Sequence, residues 1–309
     1  MKYFITLTLM ILFCHEKKAL SLDDKLMEIA IRKNKIISIV LDMKGEKKLV
    51  KENIFRGTML RLSEKIKEYK PALIYLDQTT LEKSPFLDDY EKKFNRDLPV
   101  ISTFTFQTKR NDRISEEMKT LIGPKIKGQS VPKGFEFSPL TGIEFPYIEF
   151  IQKSKAICVS GIPDKPKGDY GFSFYFQYEN YIFENCPITI ANEFLSKYNL
   201  KLEFDWSSET PALYEVENGK LKLIKHIVSP EVFGVHYEIP FQFREFRTID
   251  LNEFLEKDFE IEPGMIFIVS NSINEFQAAN GEKKYPYQIL PSEVYNLLDI
   301  VSQPLEKEK

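Results

Sequence analysis

The chain has 309 residues, 43% hydrophobic and 29% charged, with a formal net charge of -3 and a pI near 5.9. This is the composition of a globular protein long enough for one large domain or two small ones, with a sizeable core. No basic patch stands out, so no nucleic acid is expected among its partners. With Phe 25 and Tyr 15, the core is expected to be rich in aromatic rings.

The N-terminus is basic and then apolar. Met1-Lys2 precedes an almost uninterrupted apolar run from Tyr3 to Phe13, followed by Cys14 and the polar His15-Glu16-Lys17-Lys18. Eleven helical residues reach about 16 Å, roughly half a bilayer's hydrocarbon core. That is too short to span and suits a signal-peptide h-region, so export is expected. Cys14, directly behind the run, suggests lipidation and a lipoprotein of the cell envelope, in the periplasm or on the outer surface. The residues before it, Ile11-Leu12-Phe13, depart from a Leu-small-small-Cys lipobox at Phe13. Cleavage after Ala19-Leu20-Ser21, an uncleaved N-terminus, or a hydrophobic first strand of a cytosolic protein are the alternatives. Beyond this segment no apolar run approaches the length of a transmembrane helix.

The next elements alternate. Leu22 to Lys33 has helical periodicity through Leu22, Leu26, Ile29 and Ala30, with Asp23 and Asp24 suited to its first turn. Ile36 to Asp42 is a continuous β-branched run that reads as a buried strand. Thr58 to Tyr69 returns to helix and Pro71 stops it. Ala72 to Asp77 is a second buried strand, Phe86 to Asn95 a helix and Val100 to Phe106 a third strand. Residues 107 to 145 have weak periodicity and many Lys and Arg residues. They read as a surface insertion with one short helix near Glu116 to Ile122, a run that anionic headgroups could face. A helix at Tyr147 to Lys153 and a strand at Ala156 to Ile162 resume the rhythm.

Tyr170 to Phe183 is aromatic and reads as an extended strand or hairpin arm. Ile188 to Tyr198 is a helix with Pro187 at its first turn. Leu202 to Trp206, Ala212 to Val216 and Lys220 to Ile224 are short strands, the last two joined by the hairpin signal Asn218-Gly219. Val232 to Phe243 is a strand broken by Pro240, Leu251 to Asp258 a helix, Met265 to Asn271 a buried strand and Pro291 to Val301 a final helix. The predicted fold is α/β, a mostly parallel or mixed central sheet flanked by helices with an added β-hairpin region. Residues 1–21 form the signal, 22–302 a single domain containing the 107–145 insertion, and 303–309 a charged tail.

Most catalytic motifs fail. Gly123 to Ser130 has the two glycines of a phosphate loop, but Gln129 replaces its lysine and no strand leads in. No G-x-G-x-x-G follows a strand, and no G-x-S-x-G elbow exists. Nothing favours a nucleophilic triad around the three histidines, His15, His226 and His236. No metal-ligand spacing is present, and no cofactor is expected. Cys158 and Cys186 allow a disulfide in an oxidising compartment, while the apolar run around Cys158 favours a buried free thiol. Asp42 and Asp77 each end a buried strand, and carboxyl ends of parallel strands line ligand crevices. Side-by-side strands would bring the two carboxylates close together. With Ser270 and Asn271 they make a candidate ligand-binding set. A haloacid-dehalogenase-type phosphatase would need a second aspartate at position 44, which is Lys44. Aspartates after strands also commonly cap the next helix or turn.

The order of these elements resembles the extracellular sensory domain family called CHASE, type 2, over roughly residues 25 to 300. Both early strands end in aspartate, at Asp42 and Asp77, with the helix at Thr58 to Tyr69 between them. Ile162-Pro163-Asp164 looks like the family's Pro-Asp turn, and Pro187-Ile188-Thr189-Ile190-Ala191 like its proline-opened helix. Ile249 to Leu255, Gly264 to Val269 and Pro291 to Asn296 are similar to its closing elements. Lys165 to Tyr170 stands where the family carries an Asp-Gly-Val-Arg-Arg-like stretch. The resemblance implies recognition without catalytic residues. Larger members place such a domain outside the membrane, ahead of membrane helices and an output module. This chain ends after the domain and is expected not to signal across a membrane by itself. The expected partner is an unknown small molecule or an envelope protein, with membrane attachment through the lipid anchor. An envelope hydrolase using Asp42 and Asp77 and a structural envelope lipoprotein are the competing functions.

Overall fold

Continuous apolar strands need cover on both faces, and the sheet they form here has it. The computed structural model describes residues 20–42, 55–77, 98–106, 129–130, 138–139, 143–144, 154–159, 171–178, 181–228, 238–240, 242–262, 264–271, 276–277, 283–284 and 286–304. Within them α1 is Leu22–Arg32, β1 Ile36–Asp42, α2 Phe55–Tyr69, β2 Leu73–Leu76, β3 Val100–Phe106 and β7 Ala156–Val159. Three short strands precede β7: β4 Gln129–Ser130, β5 Ser138–Pro139 and β6 Ile143–Glu144. Then follow β8 Gly171–Ser173, β9 Tyr175–Tyr178, β10 Tyr181–Glu184, α3 Cys186–Leu195, β11 Leu200–Asp205, β12 Thr210–Glu217 and β13 Lys220–His226. The rest are β14 Glu238–Pro240, β15 Arg247–Asp250, α4 Leu251–Glu256, β16 Met265–Asn271, β17 Phe276–Gln277, β18 Lys283–Lys284 and α5 Pro286–Ser302.

The fold is α/β, as expected. The central sheet runs β15-β1-β16-β2-β3-β7, every neighbouring pair parallel. β6 adds an antiparallel pairing at the end of β3. Alternate residues of the strands feed two cores. Ile37, Ile39, Leu41, Ile74, Leu76, Ile266 and Ile268 pack with Leu62 and Ile66 of α2 and Leu251 and Phe254 of α4. Ile36, Val40, Leu73, Tyr75, Met265, Phe267 and Val269 pack with α1, α3 and α5 on the other face. The crossovers β1-α2-β2 and β15-α4-β16 step the same way along the sheet with both helices on one face. A single handedness of β-α-β connections requires that arrangement.

Local chemistry explains several boundaries. Ser21 caps α1, accepting from Asp24 N while the Asp24 carboxylate accepts from Ser21 N. α2 begins before the expected Thr58 and stops ahead of Pro71, with Lys70 at a positive φ of 48°. Gly264, just before β16, is required by contact: a Cβ there would sit 1.9 Å from the Lys35 carbonyl oxygen. α3 starts two residues earlier than expected, at Cys186, and its last turn, Ser196–Tyr198, tightens to a 3-10 helix. The three expected short strands β11, β12 and β13 form a meander, and the expected hairpin joins β12 to β13 with Asn218 and Gly219 at φ 50° and 75° in its turn. Phe174, Tyr175, Phe204 and Trp206 form a contiguous aromatic group beside it.

Other expectations are corrected. Of Tyr170 to Phe183, expected as an extended strand or hairpin arm, the described residues form three short strands: β8 pairs with β14, and β9 pairs antiparallel with β10, as the hairpin alternative expects. The strand expected at Val232 to Phe243 is described over Glu238–Pro240, and residues 242–246 are not strand. α5 starts at Pro286, so Pro291 lies inside it and not at its first turn. Pro291 has no N–H for the Tyr287 carbonyl. That carbonyl instead accepts from the Ser38 hydroxyl of β1 at 3.5 Å. From the 107–145 stretch, β4, β5 and β6 are built into sheets against β10, β9 and β3. The helices expected at Phe86 to Asn95, Glu116 to Ile122 and Tyr147 to Lys153 lie outside the described residues.

Candidate functional site

The carboxyl end of the central sheet gathers all four sequence-derived candidates. β1 and β16 are in register so that Asp42 is opposite Asn271 and Leu41 opposite Ser270. On the other side of β16, Leu76 pairs with Ile268, and Asp77 N donates to the Ile268 carbonyl at 2.9 Å. Asp77 therefore comes level with Val269, two residues short of Asn271. Its carboxylate accepts from the Tyr75 hydroxyl at 3.3 Å.

Asp42 and Asp77 are not on neighbouring strands, because β16 lies between β1 and β2. Two strand spacings and a two-residue offset separate their backbones by roughly 12 Å. The side-by-side arrangement considered from the sequence is replaced by one in which Asn271 is the register partner of Asp42.

The connections diverge at this point. From β1 the chain passes to α2 on one face, and from β16 it passes to α5 on the opposite face. Such a switch point leaves a crevice outside the strand ends in open α/β sheets. α3 starts at the same end, where Asn185 bridges Val159, the last residue of β7. Cys158 of β7 and Cys186 of α3 are joined by a disulfide, with their Cα atoms 4.8 Å apart. Asn185 Nδ2 donates to the Ser173 carbonyl at 2.9 Å, while its buried Oδ1 accepts no hydrogen bond. Residues 43–54, 78–97, 160–170 and 272–275, which follow these strands, lie outside the described residues.

Among the described residues, the remaining sequence candidates stand apart from these strand ends. Gln129 and Ser130, the end of the glycine-spaced stretch, form strand β4 and not the helix start a phosphate loop needs. His226 ends β13, with Nδ1 3.4 Å from the Ser208 hydroxyl. Ser208 Oγ also donates to Asp205 Oδ2 at 2.8 Å. A triad requires the aspartate to orient the histidine, and this aspartate binds the serines instead. The Ser207 hydroxyl first, and then that of Ser208, hold the Asp205 carboxyl below the usual carboxylate range. His15 and His236 lie outside the described residues. Among the described residues, no group of three or more His, Cys, Asp or Glu side chains could hold a metal ion. No helix among them is long and apolar enough to cross a membrane.

One ionisable residue escaped the sequence reading. Glu293 of α5 is 2% exposed, and its Oε1 has no hydrogen-bond partner. Burial alone raises its carboxyl from an ordinary 4.5 to about 8. The signal was present: Leu290 and Leu297 stand three before and four after it, on the same helical stripe.

No family model matches the chain, and neither a curated protein nor a solved structure matches it.

Proposed function

We propose that this chain is an exported sensory-type domain, of the CHASE type 2 kind its sequence resembles, tethered by a lipid on Cys14. It binds a small molecule or an envelope protein in the crevice outside β1, β16 and β2 and catalyses no reaction. The observation that supports this reading most is the Asp42–Asn271 register pair at the point where the strand connections diverge to opposite faces. Paired acceptors and an amide at such a mouth suit recognition of hydroxyl- or amine-bearing ligands. The strand intervening between Asp42 and Asp77 disfavours the hydrolase reading, which needs the two carboxylates to act on one bond.

The test is a thermal-shift screen of envelope metabolites, since a ligand bound by the folded state alone raises the melting temperature. Any hit is then titrated against Asp42→Asn and Asp77→Asn, singly and together. The reading expects the double variant to lose at least about tenfold in affinity, equivalent to about 1.4 kcal/mol. Unchanged affinity in the double variant rejects the crevice. Incorporation of a palmitate analogue into the wild type and not into Cys14→Ala tests the tether.

A further inference from the structure

The meander of β11, β12 and β13 has two outer edges, and among the described residues only one of them is closed. At β11 the side-chain amide of Asn192 in α3 accepts from Leu202 N at 2.6 Å and donates to the Leu202 carbonyl at 3.0 Å. At β13 no such cover is present among the described residues, where the strand pairs with β12 alone. Lys225 anchors the far end of β13 to α5, donating to the Ile300 and Gln303 carbonyls at 2.9 and 2.8 Å. The nearer stretch, Lys220 to Leu223, is exposed throughout. A free strand edge is a row of unpaired backbone donors and acceptors, and so a template for another strand.

The side chains define what that strand would carry. Glu217 is opposite Lys220 and Glu215 opposite Lys222, while Val216 is opposite Leu221 and Tyr214 opposite Leu223. Alternation puts the charged pairs on one face of the hairpin and the apolar pairs on the other. Glu215 also pairs with Lys25 of α1 at 2.7 Å, so the charged face is the one turned to α1. Among the described residues Lys220 and Lys222 close no salt bridge of their own. Leu221 and Leu223 are 43% and 47% exposed.

A second copy of the chain fits this edge poorly. Two β13 strands paired antiparallel about a two-fold axis set lysine against lysine in one register and lysine against an aliphatic side chain in the next. A bilayer fits poorly too, because the leucines and the lysines point to opposite faces. The segment that fits alternates acidic with apolar residues, as β12 does on the edge already filled.

We infer that the free edge of β13 binds an extended acidic peptide segment by strand addition, with acidic side chains beside Lys220 and Lys222 and apolar ones beside Leu221 and Leu223. Main-chain hydrogen bonds hold such a segment, and its alternate side chains select it. The same two lysines repel basic strands and further copies of the chain, so they guard the edge and choose its partner together. The inference uses no residue of the crevice and does not depend on the tether.

The test adds a fluorescein-labelled peptide of alternating valine and glutamate to the full chain and reads fluorescence anisotropy. Saturable binding below about 1 mM is expected. A peptide alternating valine with lysine should bind at least about tenfold more weakly, since like charges opposite one another are unfavourable. N-methylation of the valine–glutamate peptide at alternate residues, made in both phases, should abolish binding in at least one phase, because one set of amides must face β13. Lys220→Gln with Lys222→Gln should weaken binding about fivefold, and Leu221→Thr with Leu223→Thr by a similar factor. The peptide comparisons use the wild type alone, so they decide the matter even if a variant misfolds. Absence of saturable binding, equal binding of the basic peptide, or binding that survives N-methylation in both phases overturns the inference. Unchanged affinity in the folded lysine variant overturns it as well. Self-association of the free chain that Leu221→Thr with Leu223→Thr removes overturns it in favour of a second copy.

Discussion

Replacing Glu293 with glutamine keeps the size of the side chain and removes its charge. The carboxyl titrates near 4.5 when exposed and near 8 in the folded protein. A raised folded-state value means that the stability linked to this proton is fully present below pH 4.5 and is lost as pH rises through about 8. Each pH unit in that window costs about 1.4 kcal/mol. The wild type therefore loses about 3 kcal/mol from this group between pH 4.5 and about pH 7, and about 4 kcal/mol by pH 8. Glu293→Gln carries no such slope. Its amide adds a cost for unpartnered polar atoms of about 1–3 kcal/mol, independent of pH. Urea unfolding of both proteins across this range should thus show the variant gaining on the wild type by about 4 kcal/mol. All other titrating groups cancel in the difference. Parallel stability curves for the two proteins would refute the reasoning, because they would mean that Glu293 titrates alike folded and unfolded.

Three further outcomes follow from the packing. Cys158→Ser with Cys186→Ser opens a link spanning a sequence separation of 28, and chain entropy sets the expected loss at about 3–4 kcal/mol, read from denaturant midpoints. Gly264→Ala drives a Cβ to 1.9 Å from the Lys35 carbonyl oxygen. It should lower the melting temperature by more than about 8 °C, a loss of several kcal/mol, as β1 and β16 part to make room. Ser38→Ala removes a donor to the Tyr287 carbonyl that Pro291 cannot serve, costing about 1–2 kcal/mol. In a Pro291→Ala background the helix's own N–H serves that carbonyl, so the serine's effect should shrink toward zero in the double-mutant cycle.

What was legible in the sequence was legible for a physical reason. β1, β2 and β16 read as buried, largely apolar runs because helices cover both faces of their sheet. The hairpin of β12 and β13 was legible because Asn218-Gly219 suits its turn. β15 was not, because Ile249 alone of its four residues is buried, and an edge strand so exposed carries no alternation. The two-residue strands β4, β5 and β6 are too short to leave any period. Pro291 misled because a proline usually opens a helix, and the compensating donor, Ser38, lies on a distant strand. Asp42, Asp77, Ser270 and Asn271 could each be assigned to a strand end from local pattern. Which of them stand next to each other could not, since strand order is set by long-range pairing.

That order carries the functional argument. The chain lays down β1, then β2, β3 and β7 on one side, and returns much later to add β15 outside β1 and β16 between β1 and β2. The return separates two aspartates that a simple β-α-β unit would have made neighbours. It also inserts an asparagine opposite Asp42. An aspartate and an asparagine at register-paired strand ends together supply acceptor and donor chemistry, which the proposed recognition role would use. Two adjacent carboxylates would instead compete for one proton, which suits acid–base work. The late strand thus separates the two carboxylates that the competing hydrolase reading would need close together. The direct check is positional: exchanging Asn271 for Asp should weaken binding of any ligand captured at Asp42. Exchanging Asp77 for Asn should do so less, because Asp77 stands two residues short of the Asp42–Asn271 pair and already accepts from Tyr75.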